Sequence, residues 1–281
     1  MLRIFKSRRC LRSERGYSLV ELLIALLIAL FLLGGLITVV MGTRQSNGTQ
    51  SALSQLQDNE RIAMTLITNV VQKSGYFPYP WTGGLQLSSF VDETFTGVHL
   101  APSQVVGGNY NAVAPGDTFA VRFMAPFADS TDQIINCAGQ SNALPYPGNP
   151  VAFEYFNVFQ VATVNGTPWL QCVVQSNNNG TVGGVVTVNL IPNVTNISVL
   201  YGVGSNLAGT LGDYSVVQYL NASQMSPTNW QNVTSVKVTL TFLLPQYGTV
   251  GGQMMTIGSP NSTTTFQRVI PIMSRAGVNV I

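Results

Sequence analysis

The chain has 281 residues, of which only 9% are charged and 46% hydrophobic, with 27 glycines, 14 prolines and three cysteines. That is enough for a leader, an apolar segment and one soluble domain with a real core. A formal charge of +2 on so sparsely charged a chain argues against an electrostatic nucleic-acid binder, and Asn, Thr, Ser, Gly and Gln fill the polar positions instead, as in secreted β-rich proteins.

The first sixteen residues are basic. Arg3, Lys6, Arg8, Arg9, Arg12 and Arg15 against Glu14 give a net of +5, so losing them takes the chain from +2 to −3. An apolar run follows, and from Leu22 to Met41 it holds 20 residues without a charge. At about 1.5 Å per residue this spans about 30 Å, the thickness of a bilayer's hydrocarbon. Glu21 stands just before it, five residues after Gly16. An acid so close to the start of a membrane-length helix is unfavourable and therefore a functional candidate. Three plainer readings compete. A secretory signal has a shorter core and a small-x-small cleavage site, which is missing here. A twin-arginine signal fits Ser7-Arg8-Arg9-Cys10-Leu11-Arg12, but Glu14 and Arg15 intervene before a very apolar core. A simple signal anchor remains. In each case the basic flank stays cytoplasmic by the positive-inside rule, with the C-terminal bulk across the membrane.

Gly16, Tyr17, Ser18, Leu19, Glu21 and Leu22 together resemble the type III signal of type IV prepilins and pseudopilins. The resemblance implies cleavage after Gly16 by a prepilin peptidase and N-methylation of Tyr17. It also gives Glu21 the role of assembly glutamate. The domains then read 1–16, cleaved leader; 17–41, transmembrane and assembly helix; 42–75, its amphipathic continuation; 76–281, a periplasmic β-rich domain. Cys10 leaves with the leader. Cys137 and Cys172 remain as an even pair in a compartment that oxidises thiols, and are expected to form a disulfide. With one histidine, His99, and no C-x-x-C, a zinc site is not expected.

No proline occurs from Arg44 to Lys73, and Leu53, Leu56, Ala63, Leu66, Ile67 and Val70 recur at helical spacing. The helix is expected from about Ser18 to Ser74, with Lys73 in a basic last turn and Gly75 as its stop. Gly34, Gly35, Gly42 and Gly48 are its weak points, and any bend must come from them, because Thr38 stands where type IV pilins often carry a kinking proline. Tyr76 to Gly116 reads as loop with room for a short helix or strand. Strands are expected at Thr118–Met124, in alternation, at Val151–Val164 and at Trp169–Gln175. The last two flank Asn165-Gly166, a type I′ hairpin turn. Ser176 to Gly184 reads as an Asn/Gly-rich turn. Further strands are expected at Val185–Ile191, Asn196–Val203, Val233–Leu244 and Thr264–Ile272. The fold class is α+β: a long N-terminal helix whose amphipathic half packs on an antiparallel sheet domain.

Beyond the signal, the chain resembles PilW-type minor pilins. The segments that carry this are Leu53 to Gly75-Tyr76, Gly116-Asp117 with Arg122 and Cys137-Ala138-Gly139, Tyr201-Gly202 with Tyr219, Asn221 and Trp230, and Phe266 to Ile270. Many relatives carry an Asp-rich, calcium-like loop after the Tyr-Gly pair. Here Gly204 to Asp213 holds one aspartate, so no metal and no cofactor are expected. His99 reads as structural, Asp92-Glu93 and Asp58/Glu60 as surface acids, and Trp81, Trp169 and Trp230 as packing residues. The Asn-x-Ser/Thr triplets at Asn193, Asn221 and Asn232 follow from composition. Neither a nucleophile elbow nor a P-loop is present, so the chain is not expected to be an enzyme. The resemblance implies a structural minor pilin that primes pilus assembly at or near the tip. Its implied partners are other minor and major pilins, the prepilin peptidase and the inner membrane. A type II secretion pseudopilin or a tip adhesin stands as the alternative.

Overall fold

The computed structural model describes residues 16–76, 90–125, 134–141, 153–178, 181–205, 215–244, 246–250, 253–256 and 262–275. Helix α1 runs Leu19–Gln72, 54 residues. The four glycines lie within it. The hydroxyls of Thr38, Thr43 and Thr49 donate back to the carbonyls of Gly34, Val39 and Gln45 at 2.9, 2.9 and 3.0 Å, so these polar groups are satisfied by the helix itself. The chain divides after Ser51 into two units. In the first, the side chains from Leu19 to Met41 are exposed.

In the second unit the C-terminal part of α1 buries Ala52, Leu56, Ala63, Met64, Ile67, Val70 and Val71. Leu56, Ala63, Ile67 and Val70 of the expected stripe are buried, but Leu53 is exposed and Leu66 half-buried, and Ala52, Met64 and Val71 complete the face. Short side chains let the helix backbone come close, which turns the neighbouring leucine outward. The helix ends as expected at Gly75, whose φ is +70°. A Cβ there would lie 2.8 Å from Ser274 Oγ and 3.0 Å from Val105. Lys73 does not cap the helix, however; its Nζ donates to Ile135 O at 3.1 Å.

Two antiparallel sheets follow. In the first, β3 (Val106–Asn109), β4 (Thr118–Ala125), β5 (Phe153–Val164) and β6 (Thr167–Asn178) pair in order, and both β7 (Thr181–Val182) and β8 (Val186–Pro192) add to β6. The second has the order β10 (Val216–Leu220), β9 (Val194–Gly204), β11 (Val233–Leu243), β14 (Thr263–Pro271). Hairpins β1 (Glu93–Phe95) with β2 (Val98–Leu100), and β12 (Gln246–Val250) with β13 (Gln253–Thr256), stand apart, and a short α2 (Pro227–Gln231) precedes β11. The Asn165-Gly166 turn is as expected: φ is +50° and +79°, and Val164 pairs with Thr167.

One core joins the buried face of α1 to Phe119, Val121, Phe123, Phe159 and Leu170 of the first sheet and to Val199, Tyr201, Val238 and Leu240 of the second. A smaller core lies on the first sheet's other face, where Ala120, Phe156, Val158 and Val173 meet Phe95, Val98 and Leu100 of the β1–β2 hairpin. Strand β4 is therefore buried on both faces, not half-buried in alternation; a central strand covered on both sides reads as a continuous apolar run. The expected loop Tyr76–Gly116 contains β1, β2 and β3 within its described part. Runs of three or four residues are too short to show a period. Likewise β6 continues to Asn178 and β7 starts at Thr181, so ladder pairing overrides the weak strand propensity of asparagine in the expected turn.

Candidate processing and assembly site

Gly16, Tyr17 and Ser18 lie outside regular structure, immediately before α1, and all three are exposed. The carbonyl of Ser18 accepts from the N–H groups of Glu21 (3.0 Å) and Leu22 (3.2 Å), which starts the helix there. The Gly16–Tyr17 bond thus lies on exposed backbone outside regular structure. Glu21 falls in the first turn, where the helix dipole favours an acid. It shares a face with Ile24, Ala25 and Ile28. Among the described residues it has no ion-pair partner. A carboxylate on an exposed apolar helix, with no cation among the described residues to neutralise it, suits a cation supplied from outside.

Cys137 and Cys172 are joined, with Cα atoms 5.9 Å apart. Cys172 projects from β6 into the main core. Cys137 sits in a loop whose shape is fixed by Asn136, the Oδ1 of which accepts from Ala138 and Gln140 N–H at 3.0 Å each. Gly139 there has φ +79°. The buried Asn157 of β5 accepts the Cys137 N–H at 2.9 Å. With Lys73 reaching Ile135, the loop is held to β5, β6 and the end of α1.

Gly116 and Asp117 connect the two sheets. Asp117 is buried; its Oδ1 accepts from Asn111 N–H at 2.8 Å and its Oδ2 from Val199 N–H at 2.7 Å. A Cβ on Gly116 would lie 2.1 Å from Ile197 O. Tyr201 and Trp230 pack edge to face at 4.6 Å, as expected of a packing tryptophan. Gly202 passes so close to Ser235 that a Cβ would overlap its Oγ. Asn221 caps a 3-10 turn, Ala222–Gln224, in a reciprocal box with Gln224. His99 pairs with Asp92 at 2.7 Å on the exposed hairpin. Trp81 and most of the Gly204–Asp213 loop lie outside the described residues.

Sequence reading missed one cluster. Arg122 of β4 is fully buried, and its guanidinium donates to the carbonyls of Gln104, Val91 and Ala101 and lies 4.9 Å from the Phe90 ring centre. Glu154 of β5 is 3.6 Å away. Burial pushes Glu154 up to about 7 against the pull of Arg122, and brings Arg122 down to about 10. Burial also raises Glu93. Glu154 Oε1 and Glu93 Oε2 are buried without a hydrogen-bond donor. The available signal was a single arginine inside the apolar run of Thr118 to Ala125.

Residues 11–37 match the model of the prokaryotic N-terminal methylation motif, and residues 158–267, from β5 into β14, match that of type IV pilus-assembly protein W. Together the two matches support a type IV pilin of the PilW family. No curated protein and no solved structure matches the chain. The motif match covers Gly16, Tyr17 and Glu21, while the domain match takes in Cys172, Tyr201-Gly202, Asn221 and Trp230. Cys137, Asp117 and Arg122 lie between the two matches.

Proposed function

We propose that this pilin is a minor component that primes assembly of a type IV pilus at or near its tip. The prepilin peptidase cuts after Gly16, Tyr17 becomes the methylated N-terminus, and the helix waits in the inner membrane with the β domain in the periplasm. Six basic residues ahead of Gly16 support that orientation. The observation that carries the reading is Glu21, an acid without an ion-pair partner among the described residues, on a helix long and apolar enough to cross a membrane. Its carboxylate takes up the N-terminal amine of a neighbouring pilin. As the helices pack, both charges leave water together, which rewards the one axial register that pairs them. The β domain then supplies the specific lateral or tip surface. No catalytic step enters this role.

Glu21 lies four residues after Tyr17, about 6 Å along a helix, so before assembly it sits near the cytoplasmic face and is tolerated. Glu21→Ala should therefore insert normally but enter fibres poorly, measured as its ratio in sheared pili against inner membrane. Equal incorporation would leave only the dipole role, worth about 0.3–1 kcal/mol. Deleting the gene should strongly reduce surface pili, less so where retraction is disabled. Normal piliation with loss of attachment to one surface would make the protein an adhesin instead.

A further inference from the structure

Residues 90–105 form a strap over the outer face of the first sheet. Its underside is a small core of its own: Phe95, Val98 and Leu100 against Ala120, Phe156, Val158 and Val173. Two side chains of the sheet anchor the strap: Asn109 of β3 donates to Gly97 O at 2.7 Å, and Arg122 of β4 holds the carbonyls of Val91, Ala101 and Gln104. The charges around the arginine do not balance. Arg122 on β4 faces Glu154 on β5 and Glu93 on the strap, with Asp92 of the strap farther out and paired to His99. One guanidinium thus serves the buried Glu154 and the half-buried Glu93. Each keeps a buried oxygen with no donor, Glu154 Oε1 and Glu93 Oε2. A proton on either carboxyl supplies a donor and brings the pair and Arg122 to neutrality. Without it, a net negative charge is shut in a low-dielectric site and the strap's own carboxylate faces that of the sheet.

We propose that the strap is a proton-dependent latch, docked while Glu154 and Glu93 share a proton beneath Arg122, and loosened when both are ionised. The direction follows from burial. A carboxyl held at about 7 when docked, and at its ordinary value when solvated, contributes docking stability in full below the ordinary value. That contribution is lost as pH rises through about 7. Loosening exposes Phe95, Val98 and Leu100 together with the sheet face beneath them, an apolar surface that opens on the alkaline side.

The test is hydrogen exchange followed by mass spectrometry on the full chain in detergent, corrected for the intrinsic pH dependence of exchange. Between pH 5 and 8, peptides from residues 93–106 should lose protection by at least about tenfold, while peptides from β5 and β6 hold theirs. Glu154→Gln and Glu93→Gln should each abolish the pH response, and two variants guard against one failing to fold. His99 pairs with Asp92 on the same strap, so His99→Gln serves as a control and should leave the response in place. A strap whose protection does not change with pH overturns the latch, as does a response that survives both glutamine variants or vanishes in His99→Gln.

Discussion

Asp117 Oδ2 accepts the backbone N–H of Val199 at 2.7 Å, across 82 residues of sequence. The bond ties the start of β4 in one sheet to the middle of β9 in the other, while Oδ1 of the same carboxylate holds Asn111. Removing the side chain leaves the buried Val199 N–H without an acceptor and releases the exposed Asn111. Asp117→Ala should destabilise the β domain by about 2–4 kcal/mol, read as a lowered midpoint in urea unfolding followed by tryptophan fluorescence. A change within about 0.5 kcal/mol would mean that the sheets are held by apolar packing alone.

The Cys137–Cys172 disulfide closes a separation of 35 residues. In the chain-entropy model that stabilises by roughly 3–4 kcal/mol. The Cys137→Ser/Cys172→Ser double variant should be weaker by about that amount. Intact mass under non-reducing conditions with thiol alkylation should find neither cysteine free in the wild-type protein.

Gly75 combines a φ of +70° with a Cβ position 2.8 Å from Ser274 Oγ. Gly75→Ala must bear both the left-handed strain and the displacement of Ser274, whose hydroxyl donates to Ser74 O at 2.7 Å. The expected loss is about 1–3 kcal/mol. The Gly75 N–H bond to Arg122 O and the Met124 N–H bond to Tyr76 O, both 3.0 Å, should be the first to exchange faster.

Gly16 is exposed and has nothing near its Cα, so a larger residue there should be tolerated by the fold and felt only by the peptidase. Gly16→Val should accumulate a membrane-held precursor longer by 16 residues. In the wild type, N-terminal sequencing of a pilus fraction should begin at Tyr17.

Local signals carried a long way. The basic leader, the apolar run and Glu21 are contiguous, so the processing and assembly site could be read as a string. Helix α1 ended where Lys73-Ser74-Gly75 said it would, because a left-handed stop is a property of one residue. Asn165-Gly166 fixed its hairpin for the same reason. Two cysteines beyond the first sixteen residues left a single intramolecular pairing. The tertiary structure decided the rest. It put Ala52, Met64 and Val71, rather than Leu53 and Leu66, on the buried helix face beside the expected Leu56, Ala63, Ile67 and Val70, because the phase of an amphipathic stripe depends on how closely the sheet approaches. It made strands of three short runs between residues 90 and 109, because their stability comes from partners and from the core beneath the hairpin. It also turned Asp117 and Arg122, two isolated charges in an apolar neighbourhood, into the ties between sheets and between sheet and strap. The desolvation of a charge depends on what packs over it, and here those groups come from segments as much as 82 residues away.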